Sequence, residues 1–197
     1  KTKVIYQSAG KLPGNPKHRK DRFDVSVIGH LRDEKDPLRT ALAVRALPQR
    51  SRILVTHVGL ALDPAIEKEV KAEVKRNPRY RWLGQLSHRK TRALLAASKL
   101  VAITSKMEGS SNVLSEALAS GVPVIAAKIS GLMGTLGNRY SGYYPVGDTS
   151  KLQRLLVKAE NDRRFYQALS RQCRGFARLV RPEREVAAWR RLLREIV

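Results

Sequence analysis

Two kinds of apolar pattern alternate along most of the chain. Short strand-like apolar runs predict strands at residues 24–29, 52–57, 80–83, 100–104, 122–126 and 143–146. Between these runs, apolar residues recur at helical spacing and predict helices at residues 37–47, 64–76, 87–98 and 112–120. Strands and helices that alternate in this way form a parallel sheet covered by helices. The pattern therefore predicts an α/β fold, a Rossmann-like three-layer sandwich with a mainly parallel sheet.

The last part of the chain lacks strand-like runs. Its pattern predicts helices at residues 149–160, 163–173 and 183–196, which form a helical C-terminal extension. Near the other end, residues 11–22 are basic and contain prolines and a glycine, which favours a connector. We therefore divide the chain into a connector at residues 1–22, an α/β domain at residues 23–160 and a helical segment at residues 161–197.

Composition sets further limits on the protein. With 197 residues, 42% of them hydrophobic, the chain is long enough to bury a sizeable core. Cys173 is the only cysteine, which excludes an internal disulfide framework and a cysteine-based zinc site and favours a buried, idle thiol. No apolar run approaches the roughly 18 residues of a membrane-spanning helix, and the first residues lack the features of a secretory signal. We expect a cytoplasmic protein without a transmembrane segment.

The chain is strongly basic. Its 39 Lys and Arg against 17 Asp and Glu give a net charge of +22, which favours anionic ligands and makes nucleic acid a rival partner. The basic residues are spread over the chain, with denser patches at residues 17–22, 76–92 and 171–194. Aromatic residues make up only 6%, so few bases could be stacked. Nucleic acid is therefore the less favoured partner.

A helix is predicted to begin directly after a turn of small residues. The first amides of a helix have no intrahelical partner, so Ser111, Asn112 and Val113 can direct free N–H groups and the positive end of the helix dipole at phosphate oxygens. The small residues Gly109 and Ser110 allow a ligand to approach closely. This layout suits the diphosphate of a nucleotide sugar.

Two carboxylates bracket this turn. Glu116 shares a helix face with Asn112, and its carboxylate can accept two hydrogen bonds from a ribose diol. Glu108, before the turn, can reach the sugar. A capping box at Glu116 would require Val113 as N-cap, a poor choice, but a solvated surface position for Glu116 stays open.

Further polar residues follow the first predicted strand. Gly29 ends that strand and is followed by His30, Arg32 and Lys35 at the carboxyl edge of the sheet, where ligands of open α/β sheets bind. Lys35 and Arg32 can each donate charge-assisted hydrogen bonds to a diphosphate. Because the chain is so basic, the alternative for each of these two side chains is a solvated surface position without a ligand.

Two more segments are weaker candidates. The glycine-rich loop at residues 128–137 can present backbone amides near Gly131 to the transferred sugar or a phosphate, or it can be a flexible connector. Arg81 and Leu83 lie at the end of another predicted strand, where a nucleotide base could rest. Trp82, between them, is expected to pack in the core.

Motifs for a metal or a cofactor are missing from the sequence. Asp-x-Asp, His-Glu-x-x-His, Gly-x-x-x-x-Gly-Lys-Ser/Thr and Gly-x-Gly-x-x-Gly are all absent. His57 and His88 are isolated and, as lone histidines, are expected to be structural. We therefore expect ligand binding without metal or cofactor.

With Glu-x7-Glu in place, the chain resembles the C-terminal, donor-binding half of a GT-B glycosyltransferase of the group 1, glycogen-synthase-like superfamily. The resemblance covers roughly residues 1–160 and also rests on residues 4–6, 29–35 and 121–125. Residues 29–35 resemble the Gly-Arg-Leu-x-x-Glu-Lys element of that family. One departure is plain: His30 stands where the family has a phosphate-binding arginine, and Arg32 is the candidate to compensate.

The resemblance implies a role for each matching residue. Lys35 and the amides of Asn112 and Val113 hold the diphosphate, Glu116 holds the ribose and Glu108 holds the donor sugar. Glu108 and Lys35 are thus the implied catalytic residues. An enzyme of this family works across a cleft between two domains, so the resemblance implies a partner domain that carries the acceptor site. This chain alone is expected to bind the UDP-sugar donor and to catalyse poorly.

Within the superfamily, several sequence stretches are similar to those of the selenosugar synthases of selenoneine biosynthesis. The similarity rests on residues 27–37 (VIGHLRDEKDP), 77–84 (NPRYRWLG), 107–109 (MEG) and 142–148 (GYYPVGD). It implies transfer of a sugar from UDP-GlcNAc or UDP-glucose to selenophosphate, an anionic acceptor. The alternatives are a glycosyltransferase with a lipid or saccharide hydroxyl acceptor, a basic nucleic-acid-binding module and a regulatory nucleotide sensor.

Overall fold

Within residues 3–10 and 19–196, which the computed structural model describes, six parallel strands form one sheet. They are Phe23–Ile28 (β1), Ile53–Val58 (β2), Tyr80–Trp82 (β3), Leu100–Ile103 (β4), Val124–Ala127 (β5) and Tyr143–Tyr144 (β6). Their order in the sheet is β3-β2-β1-β4-β5-β6, and every neighbouring pair is parallel. The order reverses between β1 and β4, and that reversal is where an open α/β sheet forms a crevice at the carboxyl ends of its strands.

Helices connect the strands and continue beyond the last one. They are Arg39–Arg45 (α1), Pro64–Arg76 (α2), His88–Ala97 (α3), Asn112–Ala119 (α4), Ser130–Leu136 (α5), Thr149–Asn161 (α6), Arg163–Ala177 (α7) and Pro182–Ile196 (α8), with short 3-10 turns at Asp33–Lys35 and Arg178–Val180. The side chains of Asp63, Ser87, Ser111, Asp148 and Asp162 each accept a hydrogen bond from a first-turn amide. These caps explain where α2, α3, α4, α6 and α7 begin.

The middle of the sheet carries the core. Every residue of β4 and β5 is buried, as expected for parallel strands that are covered on both faces. Leu132 and Leu136 of α5 and Leu169 and Cys173 of α7 are fully buried in the same core. Burial raises the pKa of the Cys173 thiol, so the lone cysteine is an inert core residue.

A buried carboxylate joins α1 to α2. Glu73 has no exposed side-chain surface and accepts hydrogen bonds from Arg45 (3.0 Å to Oε1), Arg76 (2.7 Å) and the side-chain amide of Asn77 (2.9 Å). The same amide group donates to the carbonyl of Ala41 at 3.0 Å. Burial acts to raise the pKa of Glu73, but the bonds from Arg45, Arg76 and Asn77 together outweigh it and lower the pKa to about 2. Glu73 is therefore an ionised carboxylate with a full set of donors.

The predicted α/β class, the mainly parallel sheet and the helical C-terminal end are confirmed. The prediction of a loop at residues 128–137 is wrong in its middle, because Ser130–Leu136 forms α5. The last predicted strand, residues 143–146, is shorter than expected and comprises Tyr143–Tyr144.

The predicted division of the chain stays a prediction. Residues 11–18 of the expected connector lie outside the described residues. Of the helices that are described, none is long and apolar enough to cross a membrane. The cytoplasmic location likewise stays a prediction.

Candidate active site

A cavity of about 600 Å³ opens at the carboxyl edge of the sheet, between the ends of β1 and β2 and the first turn of α4. Ten of the predicted site residues line it, namely Gly29, His30, Arg32, Lys35, Glu108, Ser110, Ser111, Asn112, Val113 and Glu116. The other lining residues, which the sequence did not single out as ligand-binding residues, are Ile28, Val58, Gly59, Gln85, Leu86, His88 and Thr91. The fold thus brings the two bracketing carboxylates and the residues after β1 to one place.

Lys35 and Glu108 form an ion pair in this cavity. Lys35 Nζ lies 2.5 Å from Glu108 Oε1, and the two side chains are only 19% and 10% exposed. The hydroxyl of Ser105 donates to the same carboxylate oxygen at 2.7 Å. The hydroxyl of Thr104, at the end of β4, donates to the carbonyl of Lys35 at 2.8 Å. The ends of β1 and β4 are therefore tied together, which fixes the ammonium group beside the carboxylate.

The first turn of α4 presents backbone donors to the cavity. Ser111 is the N-cap, and its hydroxyl accepts from the amide of Leu114 at 3.3 Å. Asn112 and Val113 are the first two helical residues, so their amides have no intrahelical acceptor, and both residues line the cavity. This arrangement is a ready site for an anion.

Glu116 lies one turn further along α4. Its side chain is 14% exposed, which argues against a solvated surface position. Because Ser111 is the N-cap, Glu116 lies beyond the third helical position and makes no capping box. His88 Nε2 is 2.9 Å from Glu116 Oε1, and Arg92 Nε is 3.9 Å from the same oxygen. His88 is thus not isolated, since it lines the cavity and contacts a predicted ligand-binding carboxylate, and its structural role stays a prediction.

His57 is structural, as expected, and supports the turn after β1. Its Nε2 lies 2.9 Å from the carbonyl of Gly29, and its Nδ1 lies 2.8 Å from the hydroxyl of Tyr80. A carbonyl only accepts, so Nε2 carries the hydrogen and the Tyr80 hydroxyl donates to Nδ1. Burial lowers the pKa of His57 to about 4, so the ring is neutral near pH 7. Gly59 of the neighbouring loop also touches this carbonyl, since a Cβ at Gly59 would lie 1.8 Å from it.

His30 and Arg32, also lining the cavity, are more exposed than Lys35. The amide of Leu60 donates to His30 Nδ1 at 3.0 Å, which leaves Nε2 as the protonated nitrogen of the neutral ring. Arg32 lies 3.8 Å from Glu34 in a loose surface pair, and its side chain is 48% exposed. The Nε2–H of His30 and the half-exposed guanidinium of Arg32 can donate to an anionic ligand.

Four of the predicted site residues do not line the cavity. Arg81 donates to the hydroxyl of Thr56 at 2.7 Å, and Leu83 is exposed beyond the end of β3. Gly109 has open space around it. Gly131 lies behind the site, where a Cβ would be 1.9 Å from the carbonyl oxygen of Glu108.

The contacts of Gly131 correct one prediction. A flexible connector at this glycine is the wrong interpretation, because Gly131 belongs to α5 and packs directly on the backbone of Glu108. Trp82 is packed as expected, with its indole N–H donating to the carbonyl of Gly59 at 2.9 Å.

Among the described residues, no cluster of three His, Cys, Asp or Glu side chains could hold a metal ion. The positive groups at the cavity are the side chains of Arg32 and Lys35 and the N-terminus of α4. Metal-independent binding stays a prediction.

Solved structures of several proteins share this fold. The chain is similar to HepE from Anabaena in complex with UDP-glucose, with a TM-score of 0.72 and 24% identity over 89% of this chain and 49% of that one. It is similar to the α,α-trehalose 6-phosphate synthase of Burkholderia multivorans, with a TM-score of 0.74 and 16% identity over 90% and 44%. For a TarM mutant of S. aureus in complex with fondaparinux, α-GlcNAc-glycerol and UDP, the TM-score is 0.75 and the identity 20% over 96% and 38%. The chain thus spans less than half the length of each of these proteins.

The sequence profile of the glycosyl transferases group 1 matches residues 10–176, which is most of the chain. The match includes the cavity and every side chain that lines it. The chain therefore belongs to the group 1 glycosyltransferases.

Proposed function

We propose that this chain is the donor-binding half of a glycosyltransferase and that its donor is a UDP-sugar. The observation that carries the proposal is the convergence of Lys35, Glu108, the α4 amides and Glu116 on one cavity. Proteins of the same fold have been crystallised with UDP and with UDP-glucose, which supports this donor class.

Each part of the cavity matches one part of such a donor. The Asn112 and Val113 amides and Lys35 supply positive charge for the diphosphate. Glu116 offers carboxylate oxygens to the ribose diol, and Glu108 offers its carboxylate to the sugar hydroxyls.

The reaction is displacement of UDP at the anomeric carbon of the donor. Negative charge grows on the departing diphosphate, and the fixed donors around it stabilise that charge without reorganising. The Lys35 ammonium uses one of its three N–H donors on Glu108, at 2.5 Å, so it can also donate to the diphosphate. In this scheme no side chain of the chain forms a covalent intermediate.

We further propose that the acceptor is bound largely by a second domain. The chain spans less than half the length of the proteins it resembles in structure. Val186, Trp189 and Leu193 form an exposed apolar stripe along α8, and Met107 is exposed beside the cavity. Surfaces of this kind fit contact with another domain. The chain by itself is expected to bind donor and to turn over slowly.

Glu116→Gln tests the donor assignment. Wild-type protein in a chelating buffer is expected to bind UDP, because cationic side chains and helix amides supply the positive field. The Gln variant keeps the size of the side chain but loses its charge, so UDP is expected to bind about 2 kcal/mol more weakly. Pyrophosphate, which has no ribose, is expected to bind both proteins equally. Isothermal titration calorimetry measures both ligands.

Glu69→Gln is the matched control, since Glu69 is an exposed carboxylate on α2. Loss of UDP binding on chelation would contradict the metal-independent site. Equal weakening of UDP and pyrophosphate by Glu116→Gln would contradict the ribose assignment. Titrations with UDP-GlcNAc, UDP-glucose and GDP would rank the donors.

For the acceptor we propose selenophosphate, with a lipid or saccharide hydroxyl as the alternative. The support is the joint occurrence of residues 27–37, 77–84 and 142–148. Arg39, just after the first stretch, donates to Asp36 of that stretch at 2.7 Å and to the carbonyl of Gly147 of the third stretch at 2.8 Å, so it links the two. The net charge of +22 also suits an anionic acceptor.

The acceptor proposal is tested with the complete enzyme, in which this chain is joined to its acceptor domain. With selenophosphate, the complete enzyme is expected to consume UDP-GlcNAc or UDP-glucose and to release UDP and a selenium-containing sugar, which mass spectrometry detects. This chain alone is expected to give no product above background. Turnover with hydroxyl acceptors only would defeat the selenophosphate proposal and leave the donor assignment intact.

A further inference from the structure

Glu116 forms an ion pair with Arg92, an arginine that does not line the cavity. Arg92 lies on α3 one turn after His88, and its side chain is only 16% exposed. Its Nε is 3.9 Å from Glu116 Oε1, and within the described part of the chain this buried nitrogen has no hydrogen-bond partner. His88 contacts the same oxygen from the cavity side and has a side chain that is 76% exposed.

These two side chains differ in how accessible they are to a ligand. An incoming ribose can displace the exposed imidazole of His88, whose bond to Glu116 is open to water. Arg92 is shielded from the ligand, so its attraction for Glu116 persists when the cavity fills. A buried charge pair is screened less than an exposed one, which makes Arg92 the more effective holder of the carboxylate.

A short segment near the start of the described chain fixes Arg92 in turn. The guanidinium Nη2 of Arg92 donates to the carbonyl of Gly10. We call residues 7–10 the strap. Its amides at Ser8 and Ala9 donate to the Glu185 carboxylate at 2.8 Å and to the Val180 carbonyl at 3.0 Å.

The other side of the strap is bound to α4. The hydroxyl of Ser115 donates to the carbonyl of Gln7 at 2.8 Å, and the hydroxyl of Ser110 lies 3.4 Å from the side-chain oxygen of Gln7. Ser115 is the direct neighbour of Glu116. The strap therefore contacts both the helix that carries Glu116 and the arginine that holds it.

We propose that Arg92, anchored by the strap through the Gly10 carbonyl, is a positioning residue that presets the Glu116 carboxylate for the donor ribose. The proposal rests on the proposed function, because it assigns Glu116 to the ribose. Arg92 itself touches no ligand. Its contribution acts through one carboxylate and is absent for a ligand that does not use that carboxylate.

Arg92→Met tests this inference by calorimetry with UDP and pyrophosphate. Methionine keeps the apolar stem and removes the charge, so UDP is expected to bind about tenfold more weakly while pyrophosphate binding is unchanged. In a Glu116→Gln background the same substitution is expected to have little further effect, because the carboxylate that Arg92 holds is gone. Arg92→Lys keeps a cation at this position and is expected to restore most of the UDP affinity.

Arg89→Met is the matched control, because Arg89 is an exposed arginine on the same helix. It is expected to leave UDP binding within about twofold of the wild type. Thermal melts show whether each variant is folded, and if Arg92→Met does not fold, Arg92→Lys is compared with Arg92→Gln instead.

Equal weakening of UDP and pyrophosphate binding by Arg92→Met would overturn the inference. A further tenfold loss of UDP affinity from Arg92→Met in the Glu116→Gln background would overturn it too. If wild-type protein binds UDP and Arg92→Met binds it equally well, only the inference fails. If wild-type protein binds no UDP, the donor assignment fails first and the role of Arg92 falls with it.

Discussion

Gly131→Ala is expected to remove measurable donor binding and to destabilise the chain by about 3 kcal/mol. A Cβ at this position would lie 1.9 Å from the carbonyl oxygen of Glu108 and 2.8 Å from its carbonyl carbon. Backbone atoms cannot rotate out of the way, so either α5 or the turn at Glu108 must move. Any such movement displaces the Glu108 carboxylate from Lys35, which it meets at 2.5 Å.

Gly134→Ala is the matched control on the same helix. A Cβ there meets no atom within 4 Å. The alanine also removes backbone freedom from the unfolded chain, so this variant is expected to gain about 0.5–1 kcal/mol. Urea denaturation is therefore expected to show stability changes of opposite sign, and UDP titration a loss of binding for Gly131→Ala only. A Gly131→Ala protein with normal UDP affinity would show that the Glu108 turn does not depend on α5.

Glu73→Gln is expected to cost about 3 kcal/mol of stability at pH 7. Glu73 is fully buried and accepts from two arginines and from Asn77, so the amide loses the charge that these donors require and places its NH₂ group among them. Urea denaturation at pH 7 measures the loss. Glu69→Gln, on the exposed face of the same helix, is expected to change stability by less than about 0.5 kcal/mol.

The difference in stability between wild type and Glu73→Gln is also expected to depend on pH. The pKa of Glu73 is lowered in the folded chain from 4.5 to about 2, so its contribution is complete above pH 4.5 and is lost as the pH falls towards 2. Glu73→Gln has no such proton to gain. The difference in stability between wild type and variant should therefore shrink as the pH falls from 4.5 towards 2. A constant difference across this range would mean that the carboxylate is not held ionised by its neighbours.

Much of the fold was predictable because its signals are local. The strands are continuous apolar runs, and the caps at Asp63, Ser87 and Ser111 directly precede their helices. The turn between Glu108 and Glu116 joins a strand to a helix within a few residues, so the sequence alone predicted an anion site there.

The first wrong prediction was the loop at residues 128–137, where the structure has the helix α5. Gly131 and Gly134 lower helix propensity, yet Leu132 and Leu136 follow helical spacing and are fully buried. Tertiary packing outweighs propensity here. The pair of leucines was the signal that could have revealed α5.

The second miss arose because contacts between distant residues leave no local pattern. His88 and Arg92 meet Glu116 across more than twenty positions of sequence, and the strap meets Arg92 across eighty-two. The capped start of a helix at Ser87, just after β3, was the available hint that His88 lies at the carboxyl edge of the sheet. Arg81 is the converse case. The sequence placed it among the ligand-binding candidates, but it donates to the hydroxyl of Thr56 on β2 and does not line the cavity.

The two outermost strands of the sheet are also its shortest. β3 comprises three residues and β6 only two. Long edge strands offer rows of unpaired amides and carbonyls on which a second molecule can add its own strand, the first step of aggregation. Edges this short give such a strand little to pair with, and a net charge of +22 makes copies of the chain repel one another. The architecture that places the cavity at the central strands of the sheet thus leaves only short edges for self-association.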